Sequence, residues 1–465
     1  MALSAASVWE VRTAGLDTNG GGFVAGAAGT DYSQQDAKNT AGSNISTTDA
    51  VAVGTGVITS ATAAFTSAIV GNIIYLQGGT GALAAGWYQV TVFTSSTSIT
   101  VDRNVAAGTG ITMNIGGALL TIGQALTNMT VANNTAWVKV GTYNITSALA
   151  TGVGGSGTFN NRLIGYNATR GDEPLGANRP TVATNGNAIN GFNMAHDGWE
   201  VRNFIFDGAG ASRGLIGLNI TAQYPIVHNV KVKDFDTRGV YAATNMVLFS
   251  EGEITACSEG MRIATQNTRI AVVNSCIHAN TGPGVVCDAD SNGITFTRTA
   301  ILNNSGASSD GLSLGTAYAV RVLGCTLYGN GRDGIRATAA YAQIGSQVSN
   351  NLIVGNGGYG INYSSVRASN FGGFNYNAFY NNTSGARNVI LAGPNDVTLT
   401  ADPFTNAAGG DFSLNTTAGG GAAARAVGFP GAVPGISTTG HLDIGAVQHA
   451  DPASSGGQSV SIFGG

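Results

Sequence analysis

Ile301-Leu302-Asn303-Asn304, Leu327-Tyr328-Gly329-Asn330, Ile353-Val354-Gly355-Asn356 and Phe379-Tyr380-Asn381-Asn382 repeat one short phrase at intervals of 26 residues. A bulky apolar residue opens each phrase and an asparagine closes it. Toward the N-terminus the apolar column continues through Ile277 and Ile254, at spacings of 24 and 23, with Asn280 and Cys257 in the closing position. After each closing residue a glycine precedes another apolar residue. The pairs are Gly239-Val240, Gly260-Met261, Gly284-Val285, Gly311-Leu312, Gly334-Ile335 and Gly360-Ile361.

A unit this short cannot bury its own apolar face, so copies must stack and share one core. Stacking puts equivalent side chains about 4.8 Å apart in columns. Asn280, Asn304, Asn330, Asn356 and Asn382 then form a structural ladder, each amide donating to one neighbour and accepting from the other. The following glycine is expected to supply backbone freedom for a sharp bend. A leucine-rich repeat would show a denser Leu pattern, and a propeller a longer period. The expected fold is all-β, a right-handed parallel β-helix.

Composition agrees with strand-and-turn chemistry. The chain has 465 residues, 70 of them Gly without a three-residue period, and only 10% are charged. Collagen is thereby excluded. The formal charge is −4 and no Lys/Arg run occurs, which argues against a nucleic-acid partner. No apolar stretch is long enough to span a bilayer, so membrane insertion is not expected. The first nine residues do not read as a signal peptide. That reading implies exit from the cell by another route, or inside a lysing particle. Cys257, Cys276, Cys287 and Cys325 form no CxxC pair and no disulfide framework, so no metal site and no cofactor are expected.

Further motifs carry a family resemblance. Val8-Trp9-Glu10-Val11-Arg12 and Asp17-Thr18-Asn19-Gly20-Gly21-Gly22-Phe23 look like an entry strand. Thr121-Ile122-Gly123-Gln124-Ala125-Leu126 looks like a capping helix, followed by Trp137-Val138-Lys139-Val140-Gly141-Thr142-Tyr143. Ala401-Asp402-Pro403-Phe404, Gly410-Asp411-Phe412-Ser413-Leu414 and Asp443-Ile444-Gly445-Ala446-Val447-Gln448 look like a terminal sequence. Together they resemble the pectate-lyase-like β-helix proteins, especially the bacterial and phage surface group (phage virion or tailspike-like). Gly-Ala-rich sequence near Gly419 departs from that group's usual terminal stretch. The resemblance implies an entry strand over residues 1–29 and a β-helix with its capping helix over 117–400. It also implies C-terminal coils, a cap over the last edge and a tail over 401–465. Residues 30–116 break the pattern. Gly71-Asn72-Ile73-Ile74-Tyr75-Leu76, Gly86-Trp87-Tyr88-Gln89-Val90 and Ser98-Ile99-Thr100-Val101-Asp102 predict a small inserted antiparallel β-domain there.

Polysaccharide-cutting enzymes of this fold need carboxylates in a groove, as calcium ligands or as an acid–base pair. Three i, i+2 pairs are candidates: Asp234 and Asp236, Glu251 and Glu253, and Asp288 and Asp290. On a strand each pair would share a face and could bind calcium or sugar. A solvated outer strand face explains them better, since alternation places polar residues outside. The column before the repeating glycine offers Glu259, Asp310 and Asp333 as catalytic candidates. Two aspartates on adjacent coils would raise one pKa or recruit a cation, whereas Asp-Gly turns and Arg332 supply a structural reading. His196, His228 and His278 lack ligand spacing. Tyr359, Tyr363, Tyr376 and Tyr380 suit an aromatic column in the core better than a sugar platform.

Three functions follow. The first is a virion-surface structural protein: a head decoration, fibre or spike element. It would be trimeric, bound to other virion proteins and in contact with host-surface polysaccharide. The second is a polysaccharide-degrading tailspike or secreted lyase or hydrolase. The third is a bacterial cell-surface adhesin. The strongest signals build a stiff rod, which favours the first.

Overall fold

The computed structural model describes residues 3–4, 6–36, 45–81, 83–155, 160–264, 269–288, 291–338, 345–363, 373–431 and 440–449. The chain divides into two compact units. One comprises residues 1–145, 149–183 and 194–204; the other comprises 146–148, 184–193 and 205–465.

In the first unit Ser7–Val11 pairs in parallel with Thr135–Lys139, which pairs in parallel with Asn161–Tyr166. The helix Ile122–Asn128 buries Ile122, Ala125 and Leu126 and lies against the first two of these strands. Thr121 caps it by accepting from the Gln124 amide, and Asp17 accepts from the Leu120 and Thr121 amides. The Glu10 carboxylate is fully buried between the Arg12 and Arg170 guanidiniums, at 2.6 and 2.7 Å, and takes the Tyr166 hydroxyl. A buried charge persists only with such partners.

The inserted segment is a closed antiparallel barrel. Ile45–Ala52, Val57–Thr59, Ser98–Val101, Gly86–Ser95, Ile73–Gln77 and Gly108–Ile115 pair in that order, and the last returns to the first. Its core holds Ile58, Ile74, Leu76, Val90, Ile99, Ile111 and Met113. Ser98–Val101 alternates while Ile73–Gln77 is buried at four successive positions, and closure removes the sheet edges.

The second unit is a parallel β-helix. Ile254, Ile277, Ile301, Leu327, Ile353 and Phe379 are paired coil to coil and point inward. A second parallel sheet runs through Arg238–Ala242, Glu259–Ile263, Val285–Cys287, Leu312–Ser313, Ile335–Ala337, Tyr359–Tyr363 and Gly385–Asn388. Its repeating glycines serve differently from the sequence expectation. None of Gly239, Gly260, Gly284, Gly311, Gly334 and Gly360 has a positive φ. A Cβ on Gly284 would stand 2.6 Å from Ile301 Cγ2 and 2.7 Å from the Gly311 carbonyl oxygen. The glycine makes room for the next coil; it does not loosen the bend.

The bends fall elsewhere. Two corner columns hold left-handed residues: Glu251, Asn274, Arg298, Gly324, Asn350 and Tyr376, then Ala256, Ala279, Asn303, Gly329, Gly355 and Asn381. At the first of these corners, from Ala271–Val273 onward, one left-handed residue and one further residue separate each strand from the next.

The C-terminal sequence does not act only as an end cap. Residues 399–431 and 440–447 form a strap along the outside of the first sheet. Leu399, Phe404, Phe412, Leu414, Ala424 and Ile444 bury the outward-facing Ala300, Leu302, Leu352, Val354 and Ala378. Tyr328 meets Phe404 and Phe412 edge-on. Asn350 anchors the strap: its side chain donates to the Asp443 carbonyl and accepts from the Phe429 amide, and its own carbonyl accepts from Gly445.

Candidate functional site

The closing asparagines form a continuous hydrogen-bonded column. The Nδ2 of Asn280, Asn304, Asn330 and Asn356 donates to the Oδ1 of the next asparagine at 2.9, 2.9, 2.9 and 2.8 Å, ending on Asn382. Asn280 Oδ1 accepts from the Cys257 amide. A second column, at the other corner, was missed in the sequence. The Cys325 amide donates to Asn351 Oδ1, Asn351 Nδ2 to Asn377 Oδ1, and Asn377 to the carboxylate of Asp396. Its earlier rungs are Ser275 and Thr299, so no single residue type marks it.

The catalytic candidates are pinned in structural pairs. Asp310 and Asp333 are buried on adjacent coils and linked by the Asp333 amide, which donates to Asp310 Oδ1 at 3.3 Å. Arg332 grips both oxygens of Asp310, at 2.7 and 2.6 Å. This pairing holds the Arg332 guanidinium above its ordinary pKa. Asp333 faces Arg336 at 3.2 Å and accepts from the Tyr359 amide and the Asn362 side chain. Neither carboxylate lacks a counter-charge that a cation would have to supply. Glu259 is shared by Arg238 and Arg262, and Arg262 also reaches Asp288.

The binding candidate pairs with both members described do not share strand faces. Asp234 and Glu251 sit at left-handed corners, with φ of 64° and 52°. The i, i+2 rule for strands therefore fails for Asp234 with Asp236 and for Glu251 with Glu253. Asp234 pairs with Lys233, and Asp236 is exposed at the following turn. Asp290 lies outside the described residues. The tyrosines form no core column: only Tyr363 enters the core, Tyr380 lies beneath the strap, Tyr359 is half-buried, and Tyr376 meets Phe429. The four cysteines are buried. Burial pushes the Cys257 thiol up to about 11 and Cys325 to about 12, so neither is a ready nucleophile.

The open polar cluster of the second unit lies beyond the strap, on the outer face of Ile226–Lys233, Glu253–Thr255 and Cys276–His278. Glu253 Oε1 receives both Lys231 Nζ and His278 Nε2, each at 3.0 Å. Burial works against the charged form of Glu253, but His278 and Lys231 outweigh it and hold the carboxyl at about 2. Lys233 bridges Asp207 and Asp234 at 2.6 and 3.1 Å. His228 Nδ1 meets Ser250 Oγ at 2.9 Å. Parallel register creates this cluster: Lys231, Glu253 and Cys276 are direct coil neighbours, as are Lys233, Thr255 and His278. Lys231 lies 22 residues before Glu253, and Glu253 lies 25 before His278, so local spacing could not reveal them. Among the described residues no three His, Cys, Asp or Glu side chains converge to hold a metal ion. No helix among them is long and apolar enough to cross a membrane.

Residues 214–384 match the family described as right handed beta helix region. No curated protein shows detectable sequence similarity to the chain. Similar solved structures include pectate lyase Pel9A, at 13% identity and TM-score 0.43, covering 71% of this chain and 92% of that one. Another is the A-module of an Azotobacter vinelandii mannuronan C-5 epimerase, at 14% identity and TM-score 0.35, covering 59% and 91%. A third is a tailspike protein from Acinetobacter baumannii bacteriophage Fri1, a capsular polysaccharide depolymerase. It is 10% identical with TM-score 0.34, covering 54% and 50%. TM-scores below 0.5 leave these likenesses without weight on function.

Proposed function

From the premise that the chain is a right-handed parallel β-helix protein, we propose that it is a rigid surface element of a virion. It works by assembly, as a trimer, and by contact with a surface polysaccharide. One observation carries this reading: the outer face of the first sheet is divided in two. The strap seals one half, while the other presents lysine, histidine and carboxylate groups to solvent. The asparagine columns and the Arg-clamped aspartates stiffen the coils behind that face. A stiff β-helix with a polar stretch on its outer face suits holding and touching. A chain with only 10% charged residues suits side-by-side packing of copies, since burying unpaired ions is costly.

The competing reading is a polysaccharide-degrading enzyme, with Glu253 and His278 as its acid–base pair. Incubating the full chain with host capsular polysaccharide and following its chain length separates the two. The expected result is retention of the polysaccharide without shortening. Depolymerisation that disappears in Glu253→Gln and His278→Ala would overturn the proposal.

A further inference from the structure

One corner of the β-helix keeps large side chains where small ones would be cheaper. Six coils repeat a left-handed residue two positions before the outer strand: Tyr224, Met246, Arg269, Gly293, Ala319 and Gly345. Their φ values are 61°, 60°, 41°, 64°, 52° and 65°. Register confirms the equivalence, because Ile226, Leu248, Ala271, Thr295, Arg321 and Gln347 pair in series. Glycine fits this conformation without penalty, and three later coils use glycine or alanine. Tyr224 is 51% exposed and Met246 38% exposed, so neither recovers the strain by burial. Leu248 is 37% exposed beside them. Arg269 is exposed one coil further on, and no ion pair among the described residues includes it. Strain that the folded chain does not recover points to a partner outside it.

Resting on the contact reading above, we infer that this edge is a saccharide-binding strip running along the coil axis. The Tyr224 ring stacks on the apolar face of one sugar ring. Met246 and Leu248 extend the apolar floor. Two coils away, about 9.6 Å at the strand spacing, the Arg269 guanidinium hydrogen-bonds the hydroxyls or an acidic group of a following sugar. A second copy of the chain is the poorer occupant. A stable protein interface needs roughly 800 Å² and 20–30 residues from each partner, and this strip offers four. An aromatic floor ending in a free planar donor is what a narrow polar chain requires.

The test uses the full chain on an array of bacterial capsular and O-antigen polysaccharides. Wild type is expected to bind at least one. Tyr224→Gly and Arg269→Ala are each expected to weaken that binding about ten-fold. Tyr224→Phe, which keeps the ring, is expected to bind like wild type. Tyr224→Gly should also melt at the same temperature as wild type or higher, because glycine relieves the corner. Equal binding by wild type and Tyr224→Gly overturns the strip and leaves the contact reading standing. No binding by wild type overturns both. A lower melting temperature for Tyr224→Gly would give the ring a structural job and remove the motive for the proposal.

Discussion

The covered and open halves of the first sheet use the same strand positions for opposite chemistry. Position by position, Lys231 and Glu253 are followed by Cys276, Ala300, Thr326, Leu352 and Ala378. Beside them Lys233, Thr255 and His278 are followed by Leu302, Tyr328, Val354 and Tyr380. All point out of the coil. The side chain there answers to what lies above it, and the strap turns an outer face into a second core. A strand buried on both faces reads as a continuous apolar run, such as Ala300-Ile301-Leu302, whereas an open one alternates.

The largest effect that sharpens this contrast is expected from the strap. Phe404→Ala removes a ring wedged between Tyr328 and Phe412 and should cost about 3–5 kcal/mol. Denaturant unfolding measures it. The same truncation on the open half, Lys231→Ala, should cost less, since Glu253 keeps His278 as a partner and no apolar core is opened. Equal losses would erase the difference between the halves.

The next effect lies behind both halves. Asn330→Leu removes the oxygen that accepts from the Asn304 backbone and side-chain amides, leaves Asn356 Oδ1 with only the residue-330 backbone amide, and should cost about 1–3 kcal/mol. Thermal unfolding reads the change, and an unaltered midpoint would count against the column as a stabiliser.

A smaller effect belongs to the open half and depends on pH. Glu253 falls from 4.5 to about 2 in the folded chain. A depressed carboxyl stabilises the fold fully above its unfolded pKa and loses that contribution as pH drops through the folded value. Glu253→Gln should therefore flatten part of the stability loss between about pH 4.5 and 2, and change nothing in that respect within the covered half. Parallel acid titrations of wild type and variant would show it, and superimposable slopes would refute it.

Chelation should have the smallest effect. Each candidate carboxylate pair with described side chains already meets Arg or Lys, so EDTA is expected to leave the melting temperature unchanged. A large drop would point to a cation holding coils together.

Much of the architecture is legible in the sequence because stacking imposes one period on distant residues. Ile301, Leu327, Ile353 and Phe379 must align to fill a common core. The inserted barrel shows through strand-like runs, Ile73-Ile74-Tyr75-Leu76, which is buried throughout, and Ser98-Ile99-Thr100-Val101, which alternates. The glycine column was visible, but its cause was not, because a missing Cβ can mean either a positive φ or a close neighbour. The strap was illegible for a different reason. Its docking depends on outward apolar residues that look like core residues in any linear reading. The second column escaped because serine, threonine, cysteine, asparagine and aspartate all serve as its rungs. The Lys231–Glu253–His278 cluster escaped because its members meet only through coil register.

The claim that the rod acts by assembly and contact is tested most directly by light scattering of the full chain at micromolar concentration. A single compact species of three times the 46.7 kDa chain mass is expected. A strictly monomeric protein at those concentrations would contradict the account.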